Sequence, residues 1–264
     1  MAYCLQTAQT YSRNIVAYLK GLANNPKRLY PLHFQRFISY LGSRARVLDL
    51  GCGPGLLAKA ILDNGARREI VGVDLCPEMV QVAKKLAPGG CFICRDIRGI
   101  DYPESAFDNI ITSSLFYHLK PADLAVVAAK MTWTLKPDGI IFANFLAGMR
   151  SGLLRPRFSD QPMWISFYSP EQVLAIMREN NIACLNMFSR EKWLETATGR
   201  MAAREYCFLG HNLKEPGLFG RLGSVVTPPM IFCQQQRKTE ASDKVIWELT
   251  GELIRDMPGQ AKQD

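Results

Sequence analysis

Three glycines at alternate positions, Gly51, Gly53 and Gly55, lie within LDLGCGPG (48–55), with Asp49 ahead of them and a helix-forming stretch behind. Glycine at such positions lets the chain turn sharply and lets a ligand approach the main chain without meeting a β-carbon. The third glycine falls one place earlier than in the G-x-G-x-x-G fingerprint of dinucleotide-binding turns, which disfavours a nicotinamide cofactor. No Gly-Lys-Ser or Gly-Lys-Thr follows, so a phosphate loop is weaker still. Asp74 stands about twenty residues beyond the glycines, where a carboxylate accepts hydrogen bonds from a ribose diol. A nucleoside-containing ligand is therefore implied. Asp96 ends a third apolar run, and its carboxylate can accept from an exocyclic amine such as that of adenine. Leu75, Met79 and Ile97 are placed to flank a flat ring.

These residues need a scaffold that brings them to one edge, and the chain supplies the pattern for one. From Arg44 onward, short β-branched runs alternate with helical stretches, the mark of βα units and a mostly parallel sheet. Strands are expected at ARVLDL (45–50), EIVGVD (69–74), CFICRD (91–96), FDNIITSS (107–114), GIIFANFLA (139–147) and CLNMFS (184–189). Helices are expected at about 54–64 with Gly65 as stop, from Pro77 over PEMVQVAKKLA, at 122–135, and over SPEQVLAIMRENN (169–181) with Ser169 as cap. Lys136-Pro137-Asp138-Gly139 reads as a turn. Residues 190–228, rich in Gly, Pro and isolated aromatics, read as an insertion. MIFCQQQRK (230–238) then resumes as a strand, and an amphipathic helix closes the chain over Ser242 to Asp256. Asp49, Asp74 and Asp96 thus fall at the carboxyl ends of adjacent parallel strands, the edge where open α/β sheets bind ligands.

The 264 residues, 48% apolar and 21% charged, form an ordinary globular mix that excludes disorder and collagen. No apolar run approaches the roughly 20 residues of a membrane span. The first residues lack the basic and apolar regions of a secretory signal, so a cytoplasmic location is expected. The eight cysteines are scattered, and reduced thiols are expected. Cys91 and Cys94 have metal-like spacing but fall in a strand with no second pair, so no metal site is assigned. Of the net charge of +8, residues 1–46 carry +7, and the rest is nearly balanced. Such a segment suits an acidic partner, a phosphate-bearing substrate, RNA, or simply a solvated helical face.

With LDLGCGPG, VGVD, CRDI, FDNIITSSLFYHL and LKPDG in this order, the chain resembles the small-molecule branch (methyltransferase type 11-like) of the class I S-adenosylmethionine-dependent methyltransferases. The resemblance covers roughly residues 44–189. It implies a doubly wound, Rossmann-like, seven-stranded sheet as one domain over 44–264, with an N-terminal helical lid over 1–43. It implies S-adenosylmethionine as cofactor and S-adenosylhomocysteine as product. Gly51, Gly53 and Gly55 would bound the methionine moiety, Asp49 would hold its ammonium, Asp74 the ribose, and Asp96 with Ile97 the adenine. Ser113 and Tyr11 join the cofactor-binding set, Tyr11 by closing the methionine end. The family's turn reads Leu-Lys-Pro-Gly-Gly, and Asp138 replaces its first glycine here.

If the acceptor must lose a proton, His118 beyond the fourth strand is the candidate base, with Tyr117 behind it. Ser113-Ser114-Leu115-Phe116 lacks the Asn or Asp, two prolines and aromatic of enzymes that methylate nucleobase amines, so a DNA amine is disfavoured. Phe34, Phe37 and the basic N-terminal residues are candidates for the substrate side, and Trp164, Phe167 and Tyr168 for an aromatic lid. Methylation of a small organic molecule, at oxygen first, is the expected function, with no nucleic-acid partner. The alternatives are an RNA methyltransferase, a cyclase-like enzyme that uses the cofactor without methyl transfer, and a non-enzymatic binding protein.

Overall fold

The structure, a computed structural model, describes residues 2–23, 32–64 and 67–213. The strand expected at 230–238, the closing helix, the stop at Gly65 and residues 214–228 of the expected insertion lie outside the described residues. A seven-stranded sheet organises the chain in the order β3-β2-β1-β4-β5-β9-β8. Its strands are β1 (Arg46–Leu50), β2 (Glu69–Asp74), β3 (Cys91–Cys94), β4 (Phe107–Thr112), β5 (Leu135–Ala147), β8 (Ile182–Thr196) and β9 (Gly199–Asn212). The first five run parallel, whereas β9 runs antiparallel to both β5 and β8. A short pair, β6 (Gly152–Leu154) and β7 (Met163–Ile165), forms a separate antiparallel hairpin.

The central strands read as continuous apolar runs because both faces of the sheet are covered. In β1, Val47 joins one core with Phe34, Phe37, Ala58, Ile61, Val80 and Ala83, while Leu48 and Leu50 face the opposite core with Leu124, Val127, Met131 and Val173. The first core is closed by α3 (Leu32–Tyr40), α4 (Leu56–Leu62) and α5 (Pro77–Leu86), the second by α6 (Pro121–Thr134) and α7 (Pro170–Glu179). Helices on both faces make the sheet doubly wound, as expected. The capping box of α7 is present, with Ser169 accepting from the Gln172 main chain and Gln172 accepting from the Ser169 main chain.

Three departures have clear causes. Helix α4 begins two residues later than expected because Gly55, with φ of 82°, is its cap rather than its first turn. Lys136-Pro137-Asp138-Gly139 is absorbed into β5 as an irregularity: the pairing steps from Phe107↔Leu135 to Asn109↔Ile140, and Asp138 takes φ of 59°. Residues 190–212 are not an insertion. They are the far half of β8 and all of β9, joined by a tight turn at 197–198. Alternation was hard to read there because Glu205, 1% exposed, occupies an inward position that a strand pattern assigns to an apolar residue.

Two more helices, α1 (Ala2–Arg13) and α2 (Ile15–Ala23), lie over the carboxyl edge of the sheet. Ile15 and Leu19 of α2 pack with Met79 and Val82 of α5 and with Cys76, its cap. Helix α1 and the residue that follows it are tied to later segments: the Tyr3 hydroxyl donates to the Asp123 carboxylate, Gln6 donates to the Pro162 carbonyl, and Asn14 donates to Ser159 Oγ. Phe34 and Phe37 do not face the substrate side; both are fully buried and pack on Phe142. Among the basic N-terminal residues, Arg46 sits at the opposite edge, its guanidinium over the Phe107 ring and beside Glu69. Among the described residues, no helix is long and apolar enough to cross a membrane.

Candidate active site

Strand order reverses beside β1, whose neighbours β2 and β4 send their connections to opposite faces, and a crevice opens there. The cavity in that crevice is lined by Asp49, Gly51, Gly53, Asp74, Leu75, Met79, Asp96, Ile97, Ser113 and His118 from the sheet edge. Tyr11 of α1 lines it from above. Eleven residues named from sequence thus meet in one place. Gly55 and Tyr117 do not line it. A Cβ on Gly55 would stand 2.9 Å from both Cα and Cβ of Ala83, so this glycine serves the close approach of α4 to α5. Gly53, at φ of 50°, is different: a Cβ there would meet nothing within 4 Å, because the position opens on the cavity. Tyr117 packs against the cluster of Leu146, Phe167 and Ala203, with the Lys192 ammonium 5.7 Å from its ring centroid.

The carboxylates differ sharply in environment. Asp49 is 1% exposed, and its Oδ2 is buried with no hydrogen-bond partner. Burial, with the Asp74 charge adding, pushes its carboxyl up to about 8. Asp74 Oδ2 accepts from the Gly53 N–H at 2.8 Å and Oδ1 from the Cys76 N–H at 2.9 Å, so the carboxylate braces the glycine turn while each oxygen keeps a lone pair. Burial raises its pKa, against the pull of those main-chain donors. Asp96 is held otherwise than expected: Arg98 donates through Nε at 3.0 Å and through its terminal nitrogen at 2.5 Å, and the Arg98 N–H donates at 3.0 Å. These bonds hold Asp96 below the usual carboxylate range. Arg98 also donates to Asp123 at 2.9 Å, which in turn accepts from Tyr3, so the chain Asp96-Arg98-Asp123-Tyr3 links the cavity floor to α1. Sequence reading missed Arg98, although its place two residues after Asp96 is the local signal.

At the other end, Tyr11 Oη and His118 Nε2 are 3.1 Å apart. Burial keeps the imidazole neutral, lowering it to about 4, and keeps the Tyr11 phenol protonated by raising its pKa. Tyr18 from α2 lines the cavity as well and meets Tyr11 edge-on at 5.1 Å, while Phe158 stacks on Tyr11 at 5.2 Å. The aromatics expected to form a lid do not reach the cavity. The Tyr168 hydroxyl donates to the Leu119 carbonyl, Phe167 packs on Leu146 and Ala203, and Trp164 stands beside Tyr3 and Lys120.

The loop between Ser113 and His118 has a support that sequence did not reveal. Ser114 takes φ of 63°, and its N–H donates to Asn144 Oδ1 at 2.5 Å. Asn144 Nδ2 donates to Glu205 Oε1 at 3.2 Å, which fixes the orientation of the amide. Glu205 also receives Lys192 at 2.5 Å and Arg190 Nε at 2.6 Å. Burial alone would raise the Glu205 pKa, but Lys192 and Arg190 outweigh it and hold the group ionised.

A cavity floored by Asp49 and Asp74, with a buried carboxylate oxygen unpaired, suits a cationic ligand. An amino acid ammonium and a sulfonium both qualify, and the glycine turn leaves room for them. Residues 47–139 match the family model of a methyltransferase domain. Curated relatives include the malonyl-[acyl-carrier protein] O-methyltransferase of Halorhodospira halophila, 30% identical over 105 residues, 38% of this chain and 35% of the relative. The ubiquinone biosynthesis O-methyltransferase of Xylella fastidiosa is 32% identical over 127 residues, 46% of this chain and 48% of the relative. The chain thus spans less than half the length of these two relatives. An S-adenosylmethionine-dependent methyltransferase from Methanosarcina mazei shares the fold at a TM-score of 0.58 and 16% identity, covering 69% of this chain and 97% of that one. By its glycine motif, its sheet order and these matches, residues 47–139 form a methyltransferase-type domain, and the fold is that of class I S-adenosylmethionine-dependent methyltransferases.

Proposed function

We propose that the protein transfers the methyl group of S-adenosylmethionine to an oxygen of a small organic acceptor, leaving S-adenosylhomocysteine. The observation that carries this reading is the unpaired, buried Asp49 Oδ2 at the floor of the glycine-turn cavity. An ammonium placed there would satisfy the oxygen and favour ionisation of a carboxyl that burial otherwise keeps protonated. In this reading Gly51 and Gly53 give the methionine moiety access to the main chain, and Gly55 shapes the turn. Asp74 keeps lone pairs for a ribose diol, and Leu75, Met79 and Ile97 flank the adenine. Asp96 meets its amine only through the oxygen lone pairs that Arg98 leaves free. Ser113 and Tyr11 border the methionine end, and residues 1–43 act as the lid.

The cofactor would supply a methyl group already activated on a sulfonium. The protein's own work is then alignment and removal of the acceptor proton. His118 is the base in this reading, with Tyr117 packed against its ring at 4.6 Å. Both curated relatives are named as O-methyltransferases, which supports an oxygen acceptor. Titration calorimetry tests the proposal: S-adenosylmethionine and S-adenosylhomocysteine should both bind. Asp74→Ala should weaken binding by about 1–3 kcal/mol through loss of charge-assisted bonds. Unchanged affinity in that variant would contradict the assignment.

A further inference from the structure

The contact between Tyr11 and His118 joins two parts of the chain that lie 107 residues apart: a helix seated over the sheet edge, and the turn after β4. Both residues line the cavity, and Tyr11 engages Nε2 of His118, whose other ring nitrogen, Nδ1, is buried. A substrate proton therefore reaches Nε2 through the tyrosine oxygen. A phenol that donates to Nε2 keeps two lone pairs on its own oxygen, and these can accept from a hydroxyl in the cavity.

Resting on the methyl-transfer reading above, we propose that Tyr11 and His118 form a proton-accepting couple split between lid and sheet. Tyr11 Oη takes the proton of a neutral, phenol-type hydroxyl acceptor and passes its own proton to His118 Nε2. The acceptor oxygen bonds the methyl carbon as the carbon–sulfur bond breaks with its electron pair going to sulfur. The acceptor proton moves to Tyr11, the Tyr11 proton moves to His118, and the resulting imidazolium later releases it to water. Charge and atoms balance without a further reactant.

The surroundings of the couple select this acceptor class. A carboxylate has no proton to lose, so a proton-accepting couple would do nothing for it. A neutral hydroxyl does need one. Tyr18 lines the cavity and meets Tyr11 edge-on, so the two rings offer aromatic walls to an aromatic acceptor. The charged and titratable groups bearing on the couple are Tyr18, Tyr117, Asp74 and Cys76 around Tyr11, and Lys192 beside His118. Because Tyr11 arrives with α1, the couple exists only while that helix is seated by Tyr3, Gln6 and Asn14.

Nitrogen-15 spectra of the imidazoles in the full chain with S-adenosylhomocysteine bound give a readout independent of turnover. Only three histidines are present, and His118→Ala assigns the signal. Tyr11→Phe should move the His118 Nε2 resonance, and an unmoved resonance overturns the couple. In turnover, catechol should be methylated in preference to a malonyl thioester with a free carboxylate. Tyr11→Phe and His118→Ala should each lower kcat by about 10²-fold. Cofactor affinity should stay within about threefold, and the double variant should fall little below the worse single one, as for groups that act as a unit. Additive losses, or a matching loss of cofactor affinity, would assign Tyr11 to packing. Preference for the carboxylate overturns the couple while leaving methyl transfer standing. Failure of the wild-type chain to bind the cofactor overturns both.

Discussion

The two ends of the cavity are built in opposite ways. The end around Asp49 and Asp74 comes from one continuous stretch of sheet and turn, residues 49–97, in which a carboxylate on one strand end accepts from the main chain of the next turn. The end proposed for the acceptor is assembled from α1, the Ser113–His118 loop and the β8–β9 pair, joined through Tyr11 to His118 and through Ser114, Asn144 and Glu205. One end is preorganised by local geometry and holds the two carboxyls of Asp49 and Asp74, each raised in pKa by burial. The other is neutral where it faces the cavity, and its shape depends on long-range contacts that each have to form.

The largest effect should come from breaking the support of the acceptor end. Glu205→Ala removes the buried carboxylate that Asn144, Arg190 and Lys192 bond, and because the two cations keep part of their exposure the cost should be about 1–3 kcal/mol. Denaturant unfolding should show that loss. In the folded fraction, kcat should fall while cofactor affinity holds; a fall in cofactor affinity instead would mean that the two ends are not separately supported.

The cofactor end should respond to pH. In the folded state the Asp49 carboxyl keeps its proton up to about 8, against an ordinary value of 3.8. Between those values the folded state binds more protons than the unfolded chain. This contribution to stability is therefore complete below the ordinary value and is lost as pH rises toward 8. The slope reaches at most about 1.4 kcal/mol per pH unit. Asp49→Asn should flatten the fall of melting temperature over this window in the cofactor-free protein while weakening cofactor binding. An unchanged slope would show that Asp49 is ionised in the empty cavity.

The smallest effect calibrates the other two. Ser169→Ala removes one arm of the α7 capping box, which lies in neither end, and should cost about 1 kcal/mol in denaturant unfolding with no change in cofactor affinity. A change in affinity there would show that the cofactor end is not insulated from global stability.

Legibility in the sequence followed the same division. Asp49, Gly51, Gly53, Asp74, Leu75, Met79, Asp96 and Ile97 could be placed together because strand ends in a parallel sheet share an edge, and short-range spacing fixes which residues reach it. The capped helix at Ser169 was legible for the same local reason. Phe34 and Phe37 were not: an aromatic on an amphipathic helix carries no mark of whether it meets a ligand or, as here, Phe142. Arg98 was passed over because its value comes from bridging Asp96 to Asp123, two residues brought together only by the fold.

By itself the amino-acid order determined the βα alternation, the glycine turn and the carboxylates at its rim, since hydrophobic period and backbone freedom act within a few residues. Tertiary structure alone decided that residues 190–212 complete the sheet, that a buried Glu205 steadies the loop after β4, and that Tyr11 meets His118. Those outcomes rest on partners far apart in the chain, whose pairing energy is realised only once the two packed faces of the sheet have brought them within reach.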